Sequence, residues 1–209
     1  MYLWEMKELP KKADKVTLEW DKGISSPQRE RNRIGLPLDS HVRYFPFLDG
    51  KQFLIQAVNR AWFGGTDEEP FLVEMNPEII DNYIEDRGNV DAFYADLVPS
   101  RVSDLSKETG IPYRRQGDIF AAKFCGERYF EDRLASLVGA KVQEAEMSIL
   151  GTRHRGKGRG IIINSDSRRD TQVLFRGVIE APDHKPINLS DGLYLLGQTR
   201  YIVNPLNAD

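Results

Sequence analysis

The spacing of apolar residues changes along the chain. Some stretches have the spacing of β-strands and others have the spacing of α-helices. From His41 the sequence reads HVRYFPFLDGKQFLIQAVNRAW, in which two aromatic and β-branched runs flank Asp49 and Gly50. Both turn residues tolerate positive φ, so this spacing predicts a β-hairpin. The run PFLVEM at 70–75 predicts a third strand.

The middle of the chain changes to helical spacing. In the stretch NPEIIDNYIEDRG, Asn76 is a capping residue, Pro77 suits a first helical turn and Gly88 can end the helix. The run VDAFYADLV at 90–98 spaces its apolar side chains in the helical pattern and predicts a second helix. Residues 100–109 predict a short third helix before a glycine.

The second half of the chain returns to strand-like runs after one more helix. Residues 127–139 predict a helix whose buried face carries Phe130, Leu134, Leu137 and Val138. The run QGDIFAAKF before it predicts a strand, as do GIIIN, TQVLFRGVIEA and DGLYLLGQTRYIV after it. This order favours an α+β fold with a mostly antiparallel sheet, built from N-terminal and C-terminal strands with a central helical segment.

The first part of the chain differs from the rest in composition. Residues 1–40 are rich in charge and poor in periodic apolar spacing, which predicts a charged N-terminal arm laid on its own domain or on a partner. No linker-like tract interrupts the remainder. Residues 41–209 are therefore predicted to form a single α+β domain.

Charge and cysteine content narrow the possible functions. The formal net charge of -3 argues against general affinity for nucleic acid or anionic membranes, so any anion site must be local. The single cysteine, Cys125, excludes an intramolecular disulfide, and the sequence contains no long apolar run. We therefore expect a cytoplasmic protein that has no membrane partner.

Several sequence motifs of enzymes and binding proteins are missing. The chain has no GxxxxGK[ST], HExxH, CxxC or GxSxG, and we predict no cofactor. Gly156, Gly158 and Gly160 spell GxGxG, but a β-like run follows where a dinucleotide-binding turn requires a helix. No motif is specific enough to indicate a family.

The stretch LGTRHRGKGRG at 150–160 concentrates cations and glycines in an acidic protein. Arginine suits bidentate phosphate contacts, and glycines allow a backbone to approach a polyanion closely. We therefore predict that a basic glycine-rich β-loop at 150–169 binds RNA or DNA, assisted by the nearby YRRQ stretch. The residues predicted to contact nucleic acid are Arg114, Arg115, Arg153, Arg155, Lys157, Arg159, Arg168 and Arg169.

Two of the three histidines lie in segments between strands and suggest an alternative function. If the strands bring His154 and His184 together, one imidazole can accept a proton while the other donates one. Neighbouring cations would stabilise charge on a phosphorane, so the pair predicts a metal-independent nuclease. RNA is the natural substrate, because its 2′-hydroxyl is an internal nucleophile.

A third hypothesis uses the same residues without catalysis. A basic loop can dock on an acidic partner protein as well as on a nucleic acid, which would make the chain a non-enzymatic adaptor. A metal site formed by a histidine with Asp166, Asp170 or Asp183 matches no known ligand spacing, so we predict none.

Overall fold

A computed structural model of the chain describes residues 4–5, 12–38, 42–57, 59–66, 70–125, 128–163, 172–182 and 184–202. Contacts within the chain divide it into two compact units. One comprises Met1–Leu97 and Tyr201–Asp209, and the other comprises Val98–Arg200. The predicted domain boundary at residue 41 stays a prediction, because a division by contacts does not show which segments fold alone.

The first unit contains two sheets and two helices among its described residues. Its elements are β1 (Trp4–Glu5), β2 (Lys12–Ala13), β3 (Val16–Asp21), β4 (Gln28–Glu30), β5 (Arg33–Pro37), β6 (Val42–Pro46), β7 (Gln52–Ala57), β8 (Arg60–Thr66), β9 (Pro70–Met75), α1 (Ile79–Glu85) and α2 (Val90–Leu97). One sheet has the strand order β1-β6-β7-β8-β9, and the other has the order β2-β3-β5-β4. All strand pairs are antiparallel except β3 with β5.

Residues 16–37, predicted to belong to an irregular arm, instead contribute strands and core side chains. Val16 and Leu18 alternate along β3, while Ile34 and Leu36 alternate along β5, and all four are buried. They pack in one cluster with residues of β6, β7 and β8, including Phe53. The high charge density of this segment hides the period-two pattern, because the charged residues occupy the outer positions of short strands.

The two helices of the first unit pack through an aromatic cluster. The ring centroid of Phe47 lies 4.8 Å from that of Phe93 in α2 and 5.1 Å from that of Tyr83 in α1, both edge-on. The predicted hairpin at Asp49 and Gly50 is confirmed, because β6 and β7 pair antiparallel around it. Both helices were predicted from capping and apolar spacing, and both are confirmed.

The second unit is built on one large antiparallel sheet. Its described elements are α3 (Ser100–Thr109), β10 (Arg114–Gln116), β11 (Ile119–Cys125), α4 (Arg128–Leu137), β12 (Lys141–Ser148), β13 (Arg155–Ile163), β14 (Gln172–Ala181), β15 (His184–Asn188) and β16 (Leu193–Gln198). The strand order is β10-β11-β16-β14-β13-β12, and β15 also pairs with β14. The sheet curls so that β10 returns to β15, where the Gln116 side-chain amide donates to the Lys185 carbonyl.

The α+β class is confirmed, but the predicted single sheet is wrong. Strands of the first half pair among themselves in two sheets, and strands from residue 114 to 198 form a third. Each described strand pairs only with strands of its own half, so the two halves share no sheet among the described residues. No helix among the described residues is long and apolar enough to cross a membrane.

The buried face of α4 differs from the prediction. Phe130 is 41% exposed and Leu137 is 73% exposed, whereas Ala135 and the carboxylate of Glu131 are buried. Apolar spacing could not anticipate this rotation of the helix. Glu131 faces the sheet because two arginines there, Arg159 and Arg176, pair with it.

The glycines of β13 are packing residues. A Cβ at Gly156 would lie 2.6 Å from Ile149 Cδ1 and 2.8 Å from Phe175 Cε2, and a Cβ at Gly160 would overlap Met147 Sδ. Gly158 faces Gly177 across the β13–β14 pair, with φ values of 157° and 146°. Residues 155–163, predicted as part of a basic loop, therefore form a strand over which large apolar side chains lie closely.

Candidate functional site

The turn between β12 and β13 is closed by its own hydrogen bonds. The Thr152 amide and hydroxyl both donate to the Ile149 carbonyl, at 2.9 and 2.8 Å, and the Ile149 amide donates to the His154 carbonyl at 3.0 Å. Leu150 and Gly151 take φ values of 51° and 74° to complete the turn. This compact turn directs Thr152 and His154 inward and leaves Arg153 exposed.

The His154 side chain has no exposed surface. Its Nδ1 lies 3.0 Å from Thr152 Oγ1 and 3.6 Å from Asp118 Oδ1. Asp118 is also buried and lies in the turn between β10 and β11. The Thr152 hydroxyl and the Asp118 carboxylate therefore both lie on the Nδ1 side of the ring and hold its orientation.

His184 opens β15 and is half-buried. Its ring is stacked on that of His154, with 6.2 Å between the ring centroids and 14° between the planes. The structure therefore brings together the two histidines of the nuclease hypothesis, although 29 positions separate them in the chain. Their catalytic role stays a prediction.

Polar residues that the sequence did not indicate surround the pair. The Gln198 amide donates to Asp118 Oδ2 at 2.5 Å. The Gln116 amide donates to the Ile179 carbonyl at 3.4 Å, and the Gln116 side chain is buried. Nothing in the sequence distinguishes these residues, because glutamines on short strands and an aspartate after a glycine are typical of ordinary sheets and turns. We call His154, His184, Asp118, Thr152, Gln116 and Gln198 the histidine cluster.

The predicted cationic residues of β13 point away from this cluster. Burial alternates along the segment, so that His154 and Gly156 lie inside while Arg155 and Lys157 lie outside. Lys157 therefore lies on the face away from the imidazoles, and the stabilisation of a phosphorane by cations beside the histidine pair stays a prediction. The outer side chains of β13 instead face acidic residues on β12, β14 and α4.

Two of these outer cations form ion pairs. Lys157 Nζ lies 2.8 Å from Glu180 Oε2, and this hydrogen bond raises the pKa of Lys157. Arg159 is mostly buried and contacts Asp132, with Glu144 at 3.4 Å and Glu131 at 3.8 Å. The hydrogen bond to Asp132 raises the pKa of Arg159. Arg159 is therefore held within the fold, whereas the Lys157 pair lies at the surface, with the Lys157 side chain 58% exposed.

The remaining predicted cations are distributed differently. Arg114 pairs with Asp191 at 3.2 Å and lies over the Tyr194 ring, and Arg115 donates to the Gly117 carbonyl at 3.3 Å. Arg155 is exposed and forms no ion pair with a described residue. Arg168 and Arg169 lie outside the described residues. Binding of nucleic acid by this segment, or of an acidic partner protein, stays a prediction.

The described part of the chain contains no group of three or more histidine, cysteine, aspartate or glutamate side chains placed to hold a metal ion. Asp166, Asp170 and Asp183, which were considered as metal ligands, lie outside the described residues. The imidazole and carboxylate groups of the histidine cluster can transfer protons.

Compared with protein-family models, curated protein sequences and solved structures, the chain matches none of them.

Proposed function

We propose that the protein cleaves RNA without a metal ion and that His184 is the residue that exchanges a proton with the substrate. The observation that supports this is the stacking of His184 on His154, with ring centroids 6.2 Å apart, beside the buried Asp118. His184 is only half-buried, whereas His154 has no exposed surface. We therefore assign His184 as the catalytic residue and His154 as a positioning residue.

The surroundings of His154 suit it to position the neighbouring ring. Its Nδ1 lies 3.0 Å from Thr152 Oγ1 and 3.6 Å from Asp118 Oδ1, and its ring is stacked on that of His184. In its neutral form the His184 imidazole can accept a proton from a substrate.

The reaction that suits the single half-buried imidazole of His184 is transesterification of RNA. His184 accepts the proton of the 2′-hydroxyl while the 2′-oxygen attacks phosphorus. The bond from phosphorus to the 5′-oxygen breaks, and that oxygen takes a proton from the His184 imidazolium. The products are a 2′,3′-cyclic phosphate and a 5′-hydroxyl, so no external nucleophile is consumed.

In this proposal the partner is RNA and the protein acts in the cytoplasm. The exposed Arg155 on β13 is available for contacts with substrate phosphates outside the reacting bond. Binding without cleavage would require the outer face alone, and Lys157 and Arg159 on that face are paired with carboxylates. The histidine cluster therefore supports cleavage better than simple binding.

The test is incubation of end-labelled RNA with the purified full chain in EDTA. We expect fragments that end in a 2′,3′-cyclic phosphate, and we expect 2′-O-methyl RNA and DNA to stay intact. His184→Asn should lower kcat by about 10²- to 10⁴-fold, the usual contribution of a general acid–base group. RNA that survives the wild-type protein would end the proposal.

Two further variants test whether His154 positions His184 or only stabilises the fold. His154→Asn should lower kcat and shift the pH profile of kcat/KM, because the ring that is stacked on the His184 imidazole is lost. Arg133→Ala removes an exposed cation from α4 and should change neither rate nor profile. An unchanged pH profile in a folded His154→Asn variant would contradict the assigned role of His154.

A further inference from the structure

A cavity of about 740 Å³ lies within the Val98–Arg200 unit. One wall is the first turn of α3, another is formed by Met147, Ser148, Leu150 and Gly151, and the ends of β13, β14 and β16 complete it. The helix packs closely against β16 at this point, because a Cβ on Gly197 would lie 2.8 Å from Val102 Cγ2. This volume is within the roughly 300–1,000 Å³ of typical small-ligand sites.

The lining of the cavity combines a buried apolar floor with neutral polar groups. Val102, Met147, Val173 and Leu196 all line it, and each is at most 5% exposed. The side chains that can form hydrogen bonds there are Ser100, Ser148, Gln172 and Gln198. Arg101 is the one charged residue among the described lining residues. Such a surface suits a flat, neutral group that carries both donors and acceptors, with an anion beside it.

The cavity adjoins the histidine cluster through shared residues. Gln198 lines the cavity and donates its amide to Asp118 Oδ2, which leaves its carbonyl oxygen to accept from a ligand. Ser148 and Gly151 line the cavity from the turn that carries Thr152 and His154. A molecule in the cavity therefore contacts the same turn and the same glutamine that position the buried Asp118 and His154.

Resting on the proposed RNA cleavage, we propose that this cavity holds one nucleobase of the substrate. The two glutamine amides would bond to the edge of the base, as glutamine does in other nucleic acid sites, and the apolar floor would cover its face. Arg101 would contact the phosphate of the same nucleotide. The cavity would bind one base of the RNA, while His184 acts on the neighbouring phosphodiester bond.

The test is calorimetric titration of the full-length His184→Asn protein with AMP, GMP, CMP and UMP. We expect at least one nucleotide to bind. Ser100→Phe, which extends an exposed side chain at the mouth, and Gln172→Leu should each weaken that binding by at least about tenfold, or about 1.4 kcal/mol. Ser136→Phe places the same side chain on the exposed surface of α4 and should leave the affinity unchanged.

The outcomes separate this inference from the proposed function. Nucleotide binding that Ser100→Phe weakens would support the cavity site even if the wild-type protein fails to cleave RNA. If RNA is cleaved but no nucleotide binds, the cavity inference is overturned and the cleavage proposal stands. Binding that survives both Ser100→Phe and Gln172→Leu would place the nucleotide elsewhere and overturn it as well.

Discussion

Glu131, which has no exposed surface, lies 2.5 Å from the Nε of Arg176 on β14. Its second carboxylate oxygen lies 3.8 Å from the Nε of Arg159 on β13, so one helix residue joins two strands. A buried carboxylate is tolerated only with such partners, because removing it from water costs several kcal/mol. The position of α4 on the sheet therefore depends on this contact.

The first prediction concerns this contact. Glu131→Ala should destabilise the protein by about 3–5 kcal/mol, because two mostly buried arginines lose their shared partner. Urea denaturation monitored by circular dichroism measures the change. Asp132→Ala, whose side chain is 71% exposed, is the matched control and should cost at most about 1 kcal/mol. Equal losses in the two variants would contradict the role given to Glu131.

The second prediction concerns Gly158, which faces Gly177 in the sheet. A Cβ there would overlap the Arg176 carbonyl, so Gly158→Ala should cost about 2–4 kcal/mol through strain and shifted strands. Gly139 also has positive φ, at 59°, but a Cβ there would meet nothing within 4 Å. Gly139→Ala should therefore cost only about 1–2 kcal/mol, the penalty for the left-handed backbone alone. Thermal melts of both variants check the difference.

The third prediction concerns the acid titration of Asp191. A hydrogen bond from Lys123 at 2.9 Å, with a second from Tyr194 and the charge of Arg114, lowers the pKa of Asp191 to about 2. Since the folded pKa is below the unfolded value of about 3.9, the carboxylate stabilises the fold above about pH 4, and this is lost as pH falls towards 2. The Asp191 side chain is 49% exposed, so the contribution should be below about 1 kcal/mol.

Carbon-detected NMR of the Asp191 carboxyl group follows this titration directly. Lys123→Met should raise the pKa of Asp191 towards its usual range. Lys157→Met removes a lysine that pairs with Glu180 and should leave the Asp191 titration where it was. If the pKa of Asp191 stays near 2 after Lys123→Met, a group other than Lys123 stabilises the carboxylate.

The fourth prediction distinguishes cations that bind RNA from cations that stabilise the fold. If the outer face of β13 contacts RNA, Arg155→Ala should weaken binding and reduce the salt slope by about 1. Arg159→Ala should instead lower the free energy of unfolding, because its guanidinium is only 13% exposed among three carboxylates. Fluorescence anisotropy at several salt concentrations, beside urea denaturation, measures both effects. If Arg155→Ala leaves the salt slope unchanged, the outer face of β13 does not contact RNA.

The fifth prediction concerns the division into two units. Residues 98–200, expressed alone, should give a cooperative urea transition, because the large sheet with its two helices and both of its core clusters lies within that range. A fragment that shows no transition would favour the predicted single domain from residue 41 to 209 instead.

Local signals in the sequence predicted much of the secondary structure but not the assembly of the sheets. Asp49 and Gly50 predicted a hairpin because turn geometry depends on those two residues alone. The return of β10 to β15 depends on the curl of the whole sheet, and no local pattern carries that information. For the same reason, the prediction placed N-terminal and C-terminal strands in one sheet, whereas in the structure they belong to different sheets.

The candidate site was predicted in part for a similar reason. Two histidines between strands could be named from the sequence, but Asp118 and Gln198 belong to the cluster only through contacts across distant strands. The ion pairs of the β13 cations could not be predicted, because the sequence shows only the order of charges along the chain. Glu180 and Glu144, which lie opposite in the sheet, offset that charge in three dimensions.

The glycines of β13 have a practical consequence for anyone who labels or engineers this protein. A basic, glycine-rich stretch is the segment usually chosen for an inserted tag or a flexible connection. Here Gly156 and Gly160 lie directly beneath Ile149, Phe175 and Met147, so an insertion would push these side chains out of the core. The segment that looks most permissive in the sequence is therefore one of the least suitable places to add residues, and the exposed end of α4 at Leu137 is a better choice.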